Sequence, residues 1–259
     1  MFLFEEITLL ITHYNRSNSL ERLLRTIANL ELQFGEIIVS DDCSREDQLL
    51  ILKELQLKYN FRLITTPVNR GLANNINKGQ DAVKTPYTLY IQEDFLPFPA
   101  FVEKLKAAYQ FMKNDAELDF VRFYAYFMHP YLKPVGEGFS EMLFKHAYFW
   151  QGYLKFYIYS DHPHLRRSNF LEKFGRYDEG IKSDRAEYNQ MMKVLAVGAK
   201  VYFYEDFKAL FDQVNSAEEP STVKRNFWRN NTGIFISLTR HLYRYLRFNT
   251  ELLVFKLQK

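Results

Sequence analysis

The chain reads as an α/β protein on a mostly parallel sheet, and three observations lead there. Short apolar runs alternate with segments of helical spacing over the first hundred residues. The runs are continuous rather than alternating, as in strands buried on both faces. Acidic clusters, Asp41-Asp42 and Glu93-Asp94, close two of those runs, and the carboxyl ends of parallel strands line the crevice where open α/β sheets bind ligands.

Each element follows in order. Residues 7–12 form the first strand. Leu20, Leu23, Leu24 and Ile27 recur at helical spacing. Residues 37–40 are the second strand, and Leu49, Leu50, Leu52, Leu55 and Leu57 belong to a second helix. A third strand at 61–64 precedes a helix at 71–83 and a fourth strand at 87–92. Pro99 fits the first turn of a helix carrying Phe101, Leu105, Tyr109 and Met112. Such a β-α-β-α order predicts right-handed crossovers. After residue 115 the pattern breaks. Residues 118–160 are rich in aromatics, with turn residues Pro130, Pro134, Gly136 and Gly138, and read as short antiparallel strands and loops. Tyr188, Met191, Met192 and Leu195 mark a helix that ends at Gly198, residues 200–205 a further strand, and residues 222–247 a long final helix.

Composition excludes several classes. With 47% hydrophobic and 25% charged residues over 259 positions, the chain is globular and not disordered. A net charge of +3 does not by itself imply nucleic acid, and no recognition motif accompanies the basic residues. The one cysteine, Cys43, rules out a disulfide framework within the chain and fits a reducing compartment. The opening residues turn acidic at once and do not read as a signal peptide. No apolar run reaches the roughly 18 residues of a membrane span. A cytoplasmic protein is expected, or one held at the inner face of a membrane.

Four motifs in a fixed order resemble the family 2 glycosyltransferases, which have the GT-A fold. The first strand runs into Thr12-His13-Tyr14-Asn15-Arg16; the second ends in Asp41-Asp42-Cys43-Ser44. Asn69-Arg70-Gly71-Leu72 then opens a helix, and Gln92-Glu93-Asp94 resembles the family's metal-binding acidic motif. The resemblance covers residues 7–100 well and 165–206 loosely. It implies a GT-A domain over residues 1–215, with a nucleotide-binding half at 1–115 and an acceptor half at 116–215, followed by an amphipathic helical extension at 216–259.

The resemblance also implies roles. Asp41 is expected to hydrogen-bond the nucleotide base, and Thr12 and Tyr14 to contact or stack on it. Arg70 faces the diphosphate, where a guanidinium grips two oxygens. Asp94 is the expected metal ligand, with Glu93 on the metal or the ribose; one carboxylate, diphosphate oxygens and waters make a normal shell for Mn²⁺ or Mg²⁺. Cys43 stands where the family has glycine, which tolerates positive φ. Counting back from Gly198 puts Glu187 on the position of the family's catalytic acid. It shares a helical face with Met191 and Val194 while Arg185 points out. Glu187 is therefore the expected general base, with Asp184 as second choice. The plainer reading of both acids is compensation of the helix dipole.

Other features have modest readings. His162 and His164 flank a proline at i, i+2 spacing and fit a loop or strand surface better than a metal pair. Asp212 is placed near the site only because a metal-proximal residue often follows the family's last strand. On the final helix Phe227, Ile234, Leu238, Leu242 and Tyr245 form an apolar side, while Arg240, Arg244 and Arg247 form a basic, solvated one. The alternative for that helix is peripheral membrane contact, since basic residues attract anionic lipid. The implied reaction is inverting transfer of a sugar from a nucleotide-activated donor, a UDP-sugar favoured. Its acceptor is a saccharide or lipid-linked saccharide hydroxyl, in cell-surface polysaccharide or lipopolysaccharide assembly. Two rivals stand beside it. A sugar-phosphate nucleotidyltransferase usually carries a glycine-rich N-terminal signature, and residues 8–18 contain no glycine. A non-catalytic nucleotide-sugar-binding or scaffold protein would keep the fold without turnover.

Overall fold

A central sheet of nine strands carries the molecule, in the order β3-β2-β1-β4-β9-β6-β10-β8-β7. The structure is a computed structural model that describes residues 2–144, 152–214 and 234–257. The first half follows the expected alternation: β1 (Phe2–His13), α1 (Ser17–Asn29), β2 (Leu32–Asp41), α2 (Glu46–Tyr59), β3 (Arg62–Ile64), α3 (Leu72–Asp81) and β4 (Tyr87–Gln92). These four strands are mutually parallel, with Thr12 opposite both Ser40 and Gln92. That register brings His13, Asp41 and Glu93 to one edge of the sheet.

Helix α1 buries Leu20, Leu23, Leu24 and Ile27 as its spacing predicts. In α2 only Leu52 and Leu55 are buried, and Leu57 is exposed. Helix α3 is different in kind. It buries Asn74, Asn75, Asn77 and Gln80, which is tolerable because each polar side chain finds a partner. Asn75 bonds Ser40 and the His13 carbonyl, Asn77 bonds Tyr177, and Gln80 bonds Thr88 and Arg166. Gly79 allows the close approach: a Cβ there would lie 2.6 Å from Leu10 Cδ1 and 3.0 Å from Ser40 Cβ.

The second half is mixed: the expected antiparallel pairing holds there, but one pair is parallel. After β5 (Phe95–Pro97) and α4 (Phe101–Asn114), β6 (Leu118–Arg122) enters the central sheet, parallel to β10 (Lys200–Tyr204). β9 (His164–Arg167) lies between β4 and β6, antiparallel to both. β7 (Leu132–Gly136) and β8 (Phe139–Met142) form the expected hairpin at the sheet edge, and β8 is antiparallel to β10. β11 (Phe211–Gln213) pairs with β5 in a second, two-stranded sheet. The aromatic excess goes into these contacts: Phe95, Phe101, Phe123 and Phe211 form one set of edge-to-face rings, and Phe120 stands edge-to-face on both Tyr159 and Phe170 in another.

A short helix α5 (Phe170–Phe174) leads to α6 (Ser183–Val197), which buries Met191, Met192, Val194 and Leu195 and ends at Gly198 in the left-handed region. Helix α7 (Ile234–Leu257) packs on α6 and on a 3₁₀ turn at Tyr153–Phe156. Its expected polarity is corrected here. Leu242 is exposed, whereas Phe248 and Leu252 are buried. Arg244 hydrogen-bonds Tyr153, and Arg247 pairs with Glu251 over the Tyr188 ring. The side expected to be solvated is thus partly a packing face, because the aromatic rings beneath it accept the guanidinium groups. The helix also continues to Leu257, past the expected end at 247. Residues 222–233 of the expected helix lie outside the described residues.

Candidate active site

The ends of β1, β2 and β4 build one side of the crevice. Asp41 is fully buried and fully occupied. Its Oδ1 accepts from His13 Nδ1 at 2.8 Å and Ser44 Oγ at 2.5 Å, and its Oδ2 accepts from the Ser44 amide at 3.0 Å. His13 Nε2 accepts the Arg16 amide at 3.2 Å, so the ring proton sits on Nδ1 and points at Asp41. Burial works to raise the Asp41 pKa, but the bonds from His13 and Ser44 outweigh it and hold the carboxyl below its usual range. Asp41 therefore faces inward rather than into the crevice. Thr12 is likewise turned in: its hydroxyl meets that of Tyr90 at 3.1 Å in the interior. Tyr14, two residues on, is the exposed one.

Asp42 carries the next connection. Its two carboxylate oxygens accept the amides of Arg70 at 2.8 Å and Gly71 at 2.7 Å. Gly71 has φ +85°, open to glycine and strained for most other residues. Between these strands Cys43 sits at φ +59°, as the glycine expected there implies, and its thiol reaches the Pro67 carbonyl at 3.4 Å. The Arg70 guanidinium extends to Glu179 at 3.1 Å, and Glu179 also accepts from Asn74 at 2.7 Å and Asn77 at 2.9 Å.

Glu93 and Asp94 follow β4 and are both buried. The Arg16 guanidinium lies 3.5 Å from each carboxylate. Asp94 Oδ2 accepts the Gln213 amide at 3.0 Å, while Oδ1 is buried with no hydrogen-bond partner. A buried carboxylate oxygen without a donor suits a cation. No group of three or more His, Cys, Asp or Glu gathers among the described residues. The fit is therefore to a metal held by one or two carboxylates with a substrate phosphate completing the shell. Asp212, expected nearby, is exposed, and its neighbour Gln213 makes the contact instead.

Glu187 stands on the first turns of α6, half-buried, while Asp184 is exposed and Arg185 points outward to Glu251. Its Oε1 accepts the Asp161 amide at 3.1 Å, and the Asp161 carbonyl accepts the Gln92 side chain at 3.3 Å. Two hydrogen bonds thus tie Glu187 to the residue just before Glu93. Burial first, and then the charge of Asp161, push Glu187 up to about 7. His164 is buried and His162 half-buried, neither on an open surface as expected. They lie among the rings of Phe95, Tyr124, Tyr126, Tyr90 and Tyr159. Burial lowers both, His162 to about 3, so they are neutral packing residues.

Sequence reasoning gave no role to Arg16, Asp42, Asp161, Glu179 or Gln213. Arg16 and Asp42 lie inside quoted motifs and were legible there; the other three have no local signal, because their partners are remote in sequence.

A parallel sheet whose strand ends carry acidic turns, with an acid on a facing helix, marks the ligand crevice of an open α/β fold. The family profile of Glycosyl transferase family 2 matches residues 8–175, and the chain belongs to that family. The poly-beta-1,6-N-acetyl-D-glucosamine synthase of Staphylococcus epidermidis is 30% identical over 90 residues, 35% of this chain and 22% of that protein. The cholesterol galactosyltransferase of Borreliella burgdorferi is 27% identical over 124 residues, 48% of this chain and 34% of that protein. The matched segments thus span well under half of these relatives' own length. In fold, the chain is similar to residues 1–349 of S. aureus TarS in complex with UDP-GlcNAc, with TM-score 0.62, 18% identity, and coverage of 95% of this chain and 72% of that one. It is also similar to the mannosyltransferase PcManGT of Pyrobaculum calidifontis in complex with GDP-Man and Mn²⁺. There the TM-score is 0.57 at 14% identity, covering 93% of this chain and 62% of that one. The fold is GT-A, with the C-terminal helix α7 added.

Proposed function

We propose that the chain is an inverting glycosyltransferase that moves a sugar from a nucleotide-activated donor to a saccharide or lipid-linked saccharide hydroxyl in cell-surface polysaccharide or lipopolysaccharide assembly. One observation carries the reading: a half-buried acid, Glu187, is tied through Asp161 to Gln92, next to the acidic pair at the end of β4. Family membership and the relatives' activities support it. The UDP-GlcNAc bound by TarS favours a UDP-sugar.

The geometry supports the following roles. Tyr14, exposed at the end of β1, stacks on the base. Asp41 shapes that pocket from behind, holding His13 and the 41–44 turn, while Thr12 braces β1 against β4 through Tyr90. Asp42 fixes the 70–71 backbone so that Arg70 reaches the diphosphate, exchanging its contact with Glu179 for phosphate oxygens. Asp94, with Glu93 beside it, would hold Mn²⁺ or Mg²⁺, which supplies positive charge to the departing diphosphate. Arg16 adds a fixed cation at the same place. Glu187 takes the acceptor hydroxyl's proton; the oxygen attacks the anomeric carbon opposite the nucleotide, and the bond to the diphosphate breaks with inversion. A base near 7 is suited to that task at neutral pH. Asp184, exposed on the same helix, acts on Glu187 only through its charge. Residues 1–115 serve the donor and 116–215 the acceptor; 216–259 extend the domain.

Nucleotide-sugar turnover, measured with and without Mn²⁺, is the test, after a thermal-stabilisation screen with UDP, GDP, TDP and CMP compounds. A ligand at a hundred times its Kd stabilises the folded state by about 2.7 kcal/mol. Binding without turnover would leave a scaffold; stabilisation by no nucleotide would sink both readings. No described helix is long and apolar enough to cross a membrane. Peripheral membrane contact draws support from the exposed Leu242, Leu246, Leu253 and Leu257 of α7, and failure to sediment with anionic vesicles would remove it.

A further inference from the structure

Asp161 is a buried acid that the proposed chemistry leaves unused. It lies in the loop before β9, its carboxylate inside the protein. Oδ1 accepts the hydroxyls of Tyr177 at 2.6 Å and Tyr159 at 3.2 Å, and the two hydroxyls touch each other. Among the described residues no cation forms an ion pair with it. Buried carboxylates are rarely kept on such terms, because desolvation is costly and two phenols offset only part of it. A packing role would be served as well by a neutral residue. What distinguishes this place is its neighbour: the Asp161 amide donates to Glu187 Oε1 at 3.1 Å. Glu187 Oε2 accepts no hydrogen bond among the described residues.

We propose that Asp161 is a positioning residue for Glu187: its amide fixes Oε1, leaving Oε2 to meet the acceptor hydroxyl, and its buried carboxylate, clamped by Tyr159 and Tyr177, holds a fixed negative charge beside that acid. The inference rests on Glu187 being the base. The surrounding groups support it. Glu187 is faced by Asp161 from the loop, by Arg122 from β6 and by Asp184 on its own helix. Asp161 and Asp184 raise its pKa, whereas Arg122 lowers it. Arg122 is itself held by the carbonyls of Tyr157 and Ile158 and by Ser160, so it is not free to swing onto Glu187. Asp161 is in turn faced by Tyr159, Tyr177 and Tyr90, and by Arg166 of β9, whose charge favours the ionised acid. Burial raises Asp161, and the two hydroxyl bonds oppose that. The pair therefore resists carrying two negative charges, and the more accessible acid, Glu187, holds the proton that must be exchanged.

The test is Asp161→Asn, which keeps the backbone amide and removes the charge. The acid limb of the kcat profile should move down by about one pH unit, the scale of one nearby like charge. The plateau should fall and KM for the donor should hold. A purely structural role would lower stability without moving the limb. Tyr177→Phe, a milder change that removes a bond stabilising the Asp161 anion, should move the limb the same way. Carboxyl carbon NMR of the unaltered protein gives a readout that needs neither variant nor turnover. Glu187 should titrate above the ordinary range with the Asp161 carboxyl carbon at its ionised position beside it, and an Asp161 carboxyl that stays protonated throughout the Glu187 titration overturns the proposal. Glu187→Gln separates the two readings. If it retains transfer, the base is wrong; if it loses transfer while Asp161→Asn keeps the original limb, only the role of Asp161 fails.

Discussion

The side of the crevice we assign to the donor and the side we assign to the acceptor are built by different means. On the donor side Tyr14, Asp42, Glu93 and Asp94 sit in short runs that end adjacent parallel strands. Parallel strands joined by crossovers all deliver their carboxyl ends to one edge, so neighbouring motifs meet wherever the strands pair. On the acceptor side Glu187, Asp161, Arg122 and Gln213 come from a helix, a loop and two strands; the Asp161–Glu187 bond spans 26 residues and the Gln213–Asp94 bond 119. Nothing local brings them together; strand pairing and the docking of α6 do. The comparison teaches that contiguous motifs reveal a site only where topology guarantees their convergence.

Asp94→Asn is the most severe test of the donor side. It should abolish metal-dependent turnover and leave the fold intact, since the carboxylate accepts one protein amide that an asparagine oxygen can also accept. Unaltered activity across a Mn²⁺ titration would break the assignment, and with it the claim that the contiguous motif carries the metal.

Glu187→Gln probes the acceptor side in two measurements. Transfer should fall by about 10²–10⁴-fold, the usual contribution of a general base. In the unaltered enzyme, transfer should rise with pH through about 7, because the base must be ionised. Stability carries the opposite sign. The folded pKa is raised from 4.5 to about 7, so the folded state binds more protons than the unfolded one between those values and loses stability as pH rises through them. The glutamine variant lacks that loss and should be more stable above neutrality by about 1–3 kcal/mol. A lower melting temperature with transfer spared would mark Glu187 as a helix-end residue instead.

Asp42→Asn should have the smallest effect. It keeps one acceptor and loses the other, freeing either the Arg70 or the Gly71 amide. Donor affinity should weaken by about 1–3 kcal/mol, the range for a hydrogen bond to a charged group, read as Kd by calorimetry with stability little changed. No change in Kd would remove the 70–71 turn from the donor pocket and blur the contrast between the two sides.

Much of the donor half was legible. The strands at 7–12, 37–40 and 87–92 and the amphipathic α1 follow from local pattern, because each is decided within a few residues; the left-handed turn at residue 43 was implied only by the resemblance, since a cysteine gives no such signal. Helix α3 was legible as a helix but not as an interior one: its asparagines look solvated until Ser40, His13 and Tyr177 are placed against them. The polar ends of α7 misled in the same way, since a guanidinium over an aromatic ring reads in sequence as a solvent-facing charge.

By itself the sequence determined the order of parallel strands, the acidic turns at their ends and the family to which the chain belongs, because periodicity, glycine placement and motif order are local or one-dimensional properties. Only the tertiary structure decided which way each side chain faces and what surrounds it. It turned Asp41 and Thr12 inward, brought Arg16 between Glu93 and Asp94, and inserted β9 between β4 and β6. It also set Asp161 beside Glu187. The physical reason is that burial and charge act through space: a carboxyl takes its character from the groups packed around it, and those come from parts of the chain that the sequence keeps far apart.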